Sequence, residues 1–429
     1  MIKSKEIIPI GKIAGEITVP GDKSISHRAV ILGSLAKGRT IVKNLLDCDD
    51  CRHTIRAFKE MGVSIRESEG DIVIEGRGLK GLKRPERAIN VGESGTSMRL
   101  LAGVLAGQDF TATLEGSKGL NKRPMGRIVE PLSMMGVDIK ASDGNLPPIV
   151  IKGGRVKPIS YKLPVASAQV KSAILLAGLY ADGVTSVVEN IKSRDHTERA
   201  LKHFGAKVII DGMKVSVRGV KELSARPVEV PGDMSSAAFF IAGATLLKGS
   251  KLKIKGVGIN PTRYGFINIL RRMGADIEIL NKTDAFEPMA DIVVQGSKTR
   301  GVVIGESMIP GLIDELPAIF VVAALSKGKT VIRGAEELRV KETDRISSMQ
   351  ANLKALGARM DMLGNDIVIE GVPALKGAGL KSFGDHRTCM ASVIAALAAG
   401  SASAIAIDDT DCVIKSFPEF FKVLKSIQS

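Results

Sequence analysis

The sequence predicts an α/β fold assembled from six copies of one unit, grouped three and three, and two observations carry that prediction. A Gly/Pro/Ser loop running straight into an apolar helix recurs six times: PGDKSISHRAVILGSLAKG from Pro20, GESGTSMRLLAGVLAG from Gly92, PVASAQVKSAILLAGLYADG from Pro164, PGDMSSAAFFIAGATLLKG from Pro231, PGLIDELPAIFVVAALSKG from Pro310 and FGDHRTCMASVIAALAAG from Phe383. Between these, a helix end, a glycine and two short strands recur as FKEMGVSI at Gly62, LSMMGVDI at Gly136, LKHFGAKV at Gly205, LRRMGADI at Gly274 and LKALGARM at Gly357. Self-similarity at roughly 70 residues marks a repeat architecture in which equivalent loops occupy equivalent places. Helix, strand, helix and paired strands imply an α/β or α+β protein with several small sheets.

The elements follow in order. MIKSKEIIPIGK has lysines but no apolar stretch behind them, so no signal peptide is expected. GEITVP reads as a strand that could serve either group of three. The first opening places Lys23, Ser24, Ser26, His27 and Arg28 at a helix start, where backbone N–H groups and the dipole favour an anion; the plainer reading is a capping serine with solvated basic neighbours. Cys48 and Cys51 form a CxxC beside His53, but Cys389 and Cys412 have no paired spacing, so a helix capped by Asp49 or Asp50 is expected rather than a zinc site. Gly76, Gly78 and Gly81 match a dinucleotide-binding spacing without the helix that should follow, and read as turn glycines.

In the second opening Gly95 and Thr96 allow close backbone approach, and Arg123 in LNKRPMGR can clamp a carboxylate through two nitrogens. Ser167, Ala168 and Gln169, with Lys171, offer hydroxyl and amide groups for a phosphate, or a simple N-cap. SRDHTER gathers Arg194, Asp195, His196 and Glu198 in one loop, either a binding loop or a salt-bridged turn. The division between the two groups falls near Arg226 to Pro231. ALSKGKT, ending at Thr330, lacks the first glycine of a P-loop and runs helix, turn, strand, so no nucleotide site is expected.

The second group holds the acid–base candidates. Asp314 and Glu315 precede an apolar helix; RVKETDR supplies Lys341, Glu342, Asp344 and Arg345; GDHR supplies Asp385, His386 and Arg387; Lys415 lies near the end. A carboxylate flanked by cations can be tuned to donate or accept a proton. Ala391 to Ile407 is broken by Gly400, Ser401 and Ser403 and reads as helix, turn and strand rather than a membrane span.

Lys and Arg exceed Asp and Glu by 61 to 46, a net charge of +15, which points to an anionic partner. With no Trp and three Tyr, the stacking surfaces expected of a nucleic-acid binder are scarce, so small anionic substrates fit better. Aromatics make up 3% of the chain, so the core should be aliphatic. Four cysteines form no disulfide framework and suit a reducing cytoplasm. The working cations, Lys23, Arg28, Arg123, Arg194, Lys341, Arg345, Arg387 and Lys415, are too many for one carboxylate and suit two anionic ligands. With no nucleophile triad or metal-ligand cluster in the sequence, direct acid–base transfer leads the mechanisms.

GDKSISHR, ESGTSMR, LNKRPMGR, SAQVKSA, LIDELP, RVKETDR and GDHR stand in the order and spacing of the EPSP synthase (5-enolpyruvylshikimate-3-phosphate synthase) family, and the chain resembles that family over essentially its whole length. RDHTE, GDKS, SAQVK and NPTR (Asn260 to Arg263) are similar to its second bacterial class. The resemblance implies an enolpyruvyl transferase-like fold: two inside-out domains of three β/α units each, hinged, with residues 20–229 forming one and residues 1–19 plus 230–429 the other. It implies transfer of the enolpyruvyl group of phosphoenolpyruvate to the 5-hydroxyl of shikimate 3-phosphate, by a cytoplasmic monomer needing no metal or cofactor and binding neither nucleic acid nor membrane. Carried over by motif, Lys23, Ser24, Arg28, Ser167, Ala168, Gln169, Arg194, Asp314 and Lys341 would hold shikimate 3-phosphate. Lys23, Gly95, Arg123, Gln169, Arg345, Arg387 and Lys415 would surround phosphoenolpyruvate. Lys23, Asp314 and Glu342 would be catalytic, with Asp314 as the hydroxyl base and Glu342 as the acid protonating the enol methylene.

One position departs from the pattern: Glu93 stands where many members have asparagine, and an acid there repels an anion unless it is paired or turned away. Gly95 goes with glyphosate sensitivity in the family, whereas the class motifs go with tolerance. Two enzymes of related fold fit less well. The UDP-N-acetylglucosamine enolpyruvyl transferase would show lysine–asparagine in the first loop and a mobile-loop cysteine, but here the loop reads Lys23-Ser24 and no cysteine lies between Cys51 and Cys389. RNA 3′-phosphate cyclase would need a nucleotidylated histidine motif, which the sequence does not contain. A basic nucleic-acid-binding protein would account for the charge but not for Asp314 and Glu342.

Overall fold

Five of the six long apolar helices start where a short polar side chain takes up a free backbone N–H. Asp22 accepts from Ile25 N to begin Lys23–Leu35, Ser94 from Ser97 N to begin Gly95–Leu105, and Ser167 from Val170 N to begin Ala168–Gly178. Asp233 opens Met234–Leu246 and Asp385 opens His386–Leu397 in the same way, whereas Leu316–Ala324 starts with Pro317 and no side-chain cap. These helices are apolar nearly all round and are accordingly buried nearly all round. The first cap is Asp22, not a serine, which leaves the Ser24 hydroxyl out of the capping role.

The intervening helices Asp49–Glu60, Gly126–Met134, His196–His203, Gly265–Met273 and Arg345–Ala355 are the ones before the recurrent glycines. All five glycines, Gly62, Gly136, Gly205, Gly274 and Gly357, have φ between +81° and +105°. That left-handed turn is open to glycine without steric cost, which is why the residue recurs. A two-stranded hairpin then follows, as in Ser64–Ser68 with Asp71–Arg77 and Arg359–Leu363 with Asp366–Glu370.

The computed structural model describes residues 4–400 and 403–428. Residue contacts divide the chain into two units, Gly21–Val230 and Met1–Pro20 with Pro231–Ser429. The Gly21–Val230 unit contains three four-stranded sheets, each with one parallel edge strand followed by antiparallel partners. Ile89–Asn90 is the parallel edge of the second sheet and Ser160–Lys162 of the third. The first takes its edge, Val228–Glu229, from the far end of the unit, pairing Val228 with Val42. The three repeats therefore close on themselves, and each copy has its edge strand.

The other unit is closed by the N-terminal segment. GEITVP, left open between the two groups by its sequence, supplies Ala14–Thr18, the parallel edge of the fourth sheet against Lys251–Gly258. Val303–Ile304 plays that part in the fifth. In the sixth copy Lys5–Ile7 pairs antiparallel with Ile405–Ile407, and Leu380 bridges Ile407 from the other side in parallel. The core is aliphatic in the main, but Phe240, Phe417 and Phe420 pack against one another in this unit at centroid distances of 5.4–5.9 Å.

Two expectations from the sequence are corrected. Asp49 and Asp50 do not cap their helix: Cys48 occupies the cap position without a side-chain bond, and both aspartates lie in the first turn, where the dipole favours them. Gly76 is not a turn glycine; it lies within the strand Asp71–Arg77, where a Cβ would come within 2.2 Å of the Ala36 carbonyl oxygen. ALSKGKT does run from helix through turn to strand, from Leu316–Ala324 to Lys329–Ile332. The apolar stretch after Ala391 divides into a helix to Leu397 and a strand from Ile405, with residues 401 and 402 of the expected turn outside the described residues. Among the described residues no helix is long and apolar enough to cross a membrane.

Candidate active site

In the Gly21–Val230 unit the three buried helices bring their openings into one hydrogen-bonded set. Arg28, one turn into the first helix, donates Nε to Thr197 Oγ1 at 2.6 Å, Nη1 to the Ser24 carbonyl at 2.8 Å and Nη2 to Ser172 Oγ at 2.8 Å. A guanidinium held at each nitrogen is a fixed charge, which suits it to orient an anion. Lys23 Nζ lies 3.1 Å from Asp50 Oδ2, with both side chains partly exposed. The first-turn aspartate of the CxxC helix is thus the partner of the lysine predicted to touch both substrates.

Gly95, Arg99, Arg123 and Gln169 also meet. A methyl on Gly95 would lie 2.7 Å from Arg99 Nη1 and 3.6 Å from Arg123 Nη1, so both guanidinium groups flank that glycine. Arg99 Nη1 donates to Gln169 Oε1 at 2.7 Å, and Gln169 Nε2 donates to Thr96 Oγ1 at 2.9 Å. Arg99 and Asp50 were missed by sequence reasoning. The signal for Arg99 is its position four residues after Gly95, on the same helix face; for Asp50 there is no local signal. Glu93 is paired with backbone: its Oε1 accepts the Gly119 N–H at 3.2 Å.

His27, inside the same opening, is a core residue and not a ligand. It is fully buried, with Nδ1 2.7 Å from Thr54 Oγ1, which is itself 2.7 Å from Ser97 Oγ. Burial, outweighing the carboxylate of Asp50, pulls its pKa down to about 3 from the usual 6.5. The unfolded chain therefore binds this proton first, and stability drawn from neutral His27 is full above pH ~6.5 and is lost as pH falls towards ~3. A tenfold difference in proton affinity between the folded and unfolded chain is worth about 1.4 kcal/mol, so the effect is measurable. His27→Asn, which can still bond Thr54, is expected to move the acid-unfolding midpoint followed by circular dichroism to lower pH; an unmoved midpoint would refute this.

In the other unit the acid–base candidates gather round one guanidinium. Arg345, 1% exposed, places Nε 2.8 Å from Asp385 Oδ2, Nη2 2.6 Å from Glu342 Oε2 and Nη1 3.3 Å from Asp314 Oδ1. Burial alone would lower its ionisation, but the charges of Asp385, Glu342 and Asp314 reverse this and hold it above the ordinary arginine range. Arg387 adds Nε at 3.4 Å from Asp314 Oδ1 and donates Nη1 to the Asp314 carbonyl at 3.0 Å. Lys415 donates to the Gly384 carbonyl at 3.1 Å. Lys341 is held below the ordinary lysine range by desolvation, against the pull of Asp314 and Glu337. Asp314 and Glu342 remain partly exposed while the guanidinium they share is buried, an arrangement that keeps two carboxylates oriented yet reachable.

Glu315, Asp314's neighbour, goes elsewhere. It is fully buried, accepts the Ser235 hydroxyl and lies 3.2 Å from Arg263 Nη2, which is also 3.1 Å from Asp233. The fourth opening and NPTR thus brace the fifth opening. Among the described residues no three His, Cys, Asp or Glu side chains are grouped to hold a metal, and all four cysteines are free and buried.

The repeats and their sheets define an enolpyruvyl transferase-like fold, shared with the enolpyruvyl transferase NikO of Streptomyces tendae at a TM-score of 0.79 and 17% identity over 98% of this chain and 96% of that one. The chain belongs to the EPSP synthase family, whose model, "EPSP synthase (3-phosphoshikimate 1-carboxyvinyltransferase)", matches residues 7–424. A 3-phosphoshikimate 1-carboxyvinyltransferase of Geobacter sulfurreducens is 49% identical over 98% of both chains, and one of Pelobacter propionicus is 49% identical over 100% of this chain and 99% of its own. The solved EPSP synthase of Acinetobacter baumannii is similar at a TM-score of 0.89 and 44% identity, covering 100% of this chain and 98% of that one.

Proposed function

We infer that these residues serve the family's reaction: the chain is a 3-phosphoshikimate 1-carboxyvinyltransferase, moving the enolpyruvyl group of phosphoenolpyruvate to the 5-hydroxyl of shikimate 3-phosphate and releasing phosphate. The observation that carries the reading is the pair of partly exposed carboxylates, Asp314 and Glu342, oriented by the buried guanidinium of Arg345.

Asp314 takes the proton of the 5-hydroxyl as its oxygen adds to the phosphate-bearing enol carbon. Glu342 delivers a proton to the enol methylene in that addition. Phosphate then leaves with its electron pair as a methyl proton is returned, so the enol ether forms with no net redox change. Lys23, Ser24, Arg28, Ser167, Ala168, Gln169, Arg194, Asp314 and Lys341 hold shikimate 3-phosphate. Lys23, Gly95, Arg123, Gln169, Arg345, Arg387 and Lys415 hold phosphoenolpyruvate. Fixed cations of this kind stabilise charge building on the departing phosphate, the work a metal would otherwise do. The fixed contacts of Arg28 and the guanidinium pair at Gly95 support the anion assignments. The enzyme works as a cytoplasmic monomer.

The test is direct. Purified protein mixed with shikimate 3-phosphate and phosphoenolpyruvate, without added metal, is expected to release inorganic phosphate. The rate should be saturable in each substrate, and release no faster than in the absence of shikimate 3-phosphate would overturn the assignment.

A further inference from the structure

Lys171 is the one cation of the third opening, yet it is 0% exposed and so cannot meet a ligand arriving from solvent. Its Nζ lies 2.9 Å from Glu189 Oε2 and 2.6 Å from Glu198 Oε1, both carboxylates being 2% exposed. The two glutamates are nine residues apart and bracket the loop that carries Arg194. Glu189 begins the loop just after the strand Val184–Val188, and its Oε1 accepts the Ser193 N–H at 3.1 Å and the Ser193 hydroxyl as well. Glu198 ends the loop in the first turn of His196–His203. Burial pushes Glu198 up, against the pull of Lys171. Thr197, inside the bracket, holds Arg28 Nε at 2.6 Å.

We propose that Lys171 is a positioning residue: with Glu189 and Glu198 it staples both ends of the 189–198 loop and thereby presents Arg194 to the phosphate of shikimate 3-phosphate. The proposal rests on the reading of Arg194 as a phosphate contact given above. Its physical basis is that a loop ordered before the ligand arrives does not have to be ordered at the ligand's expense. Replacing a whole buried ion pair by apolar groups is often neutral for stability, so the effect expected here is on loop position. SAQVK and RDHTE thus work as one device, since the lysine of the first motif and the glutamate of the second are bonded to each other.

The experiment is a double-mutant cycle on the full chain. Lys171→Met is expected to raise the KM for shikimate 3-phosphate about ten-fold, the cost of one displaced charge-assisted contact, with kcat and the KM for phosphoenolpyruvate within about two-fold. In the Arg194→Ala background it should add nothing further, because the effect acts through Arg194. Where Lys171→Met alone fails to fold, the charge-free variant K171M/E189Q/E198Q, which leaves no buried carboxylate unpaired, is read in its place with the same expectation. A rise in both KM values together, or an undiminished effect in the Arg194→Ala background, overturns the staple. If Arg194→Ala raises the KM while the Lys171 variants do not, the staple alone falls. If Arg194→Ala changes nothing, the phosphate assignment falls and the staple with it.

Discussion

Glu342→Gln is expected to cut turnover by roughly 10²–10⁴-fold, the range of a lost general acid, while shikimate 3-phosphate still binds. The substitution keeps the side chain's volume and leaves an amide oxygen facing Arg345 Nη2, now 2.6 Å from Glu342 Oε2, so the local packing survives. On the proposed reading it removes the proton for the enol methylene. Phosphate release measures the first quantity and titration calorimetry the second. Turnover within a few-fold of the parent would take Glu342 out of the catalytic role, and lost binding would make it a ligand instead.

Arg345→Met should have the largest effect on stability. It strips the shared cation from Asp385, Glu342 and Asp314, of which Asp385 is wholly buried and also caps the His386–Leu397 helix through Arg387 N and Thr388 N. Breaking a buried pair on one side costs about 3–5 kcal/mol, because the remaining charge is left without compensation. Denaturant unfolding should show that loss in the transition of the unit containing Pro231–Ser429, with activity abolished. Adding Asp385→Asn to Arg345→Met should recover part of the stability but none of the activity. A single variant as stable as the parent would mean that the three carboxylates do not depend on this guanidinium.

Much of the site was legible because its chemistry is local. Asp385 and Arg387 share one helix start, and Glu342 and Arg345 are three residues apart, so a reading of adjacent residues finds them. The recurrent glycines were legible for the same reason, since a left-handed helix end is a property of one residue and its neighbours. Lys171 was not. As a sequence it is one more cation beside Ser167 and Gln169, equally fit for a phosphate; only Glu189 and Glu198, brought to it by the fold, reveal it as internal. Asp50 likewise reads as a cap, and becomes the partner of Lys23 only through the packing of its helix.

By itself, then, the sequence determined the repeat, the helix openings, the family and the candidate groups for two anions, because each depends on short-range periodicity and on residue type. The tertiary structure alone decided which strand completes each sheet, as with Val228–Glu229 and Ala14–Thr18, and which charged groups have a partner inside the protein. Strand pairing and ion pairing are set by distance in space, and burial alters the energy of an ionised group far more than its sequence neighbours do. Lys23 and Lys171 occupy comparable openings, yet one is partly exposed beside Asp50 and the other is sealed between two glutamates.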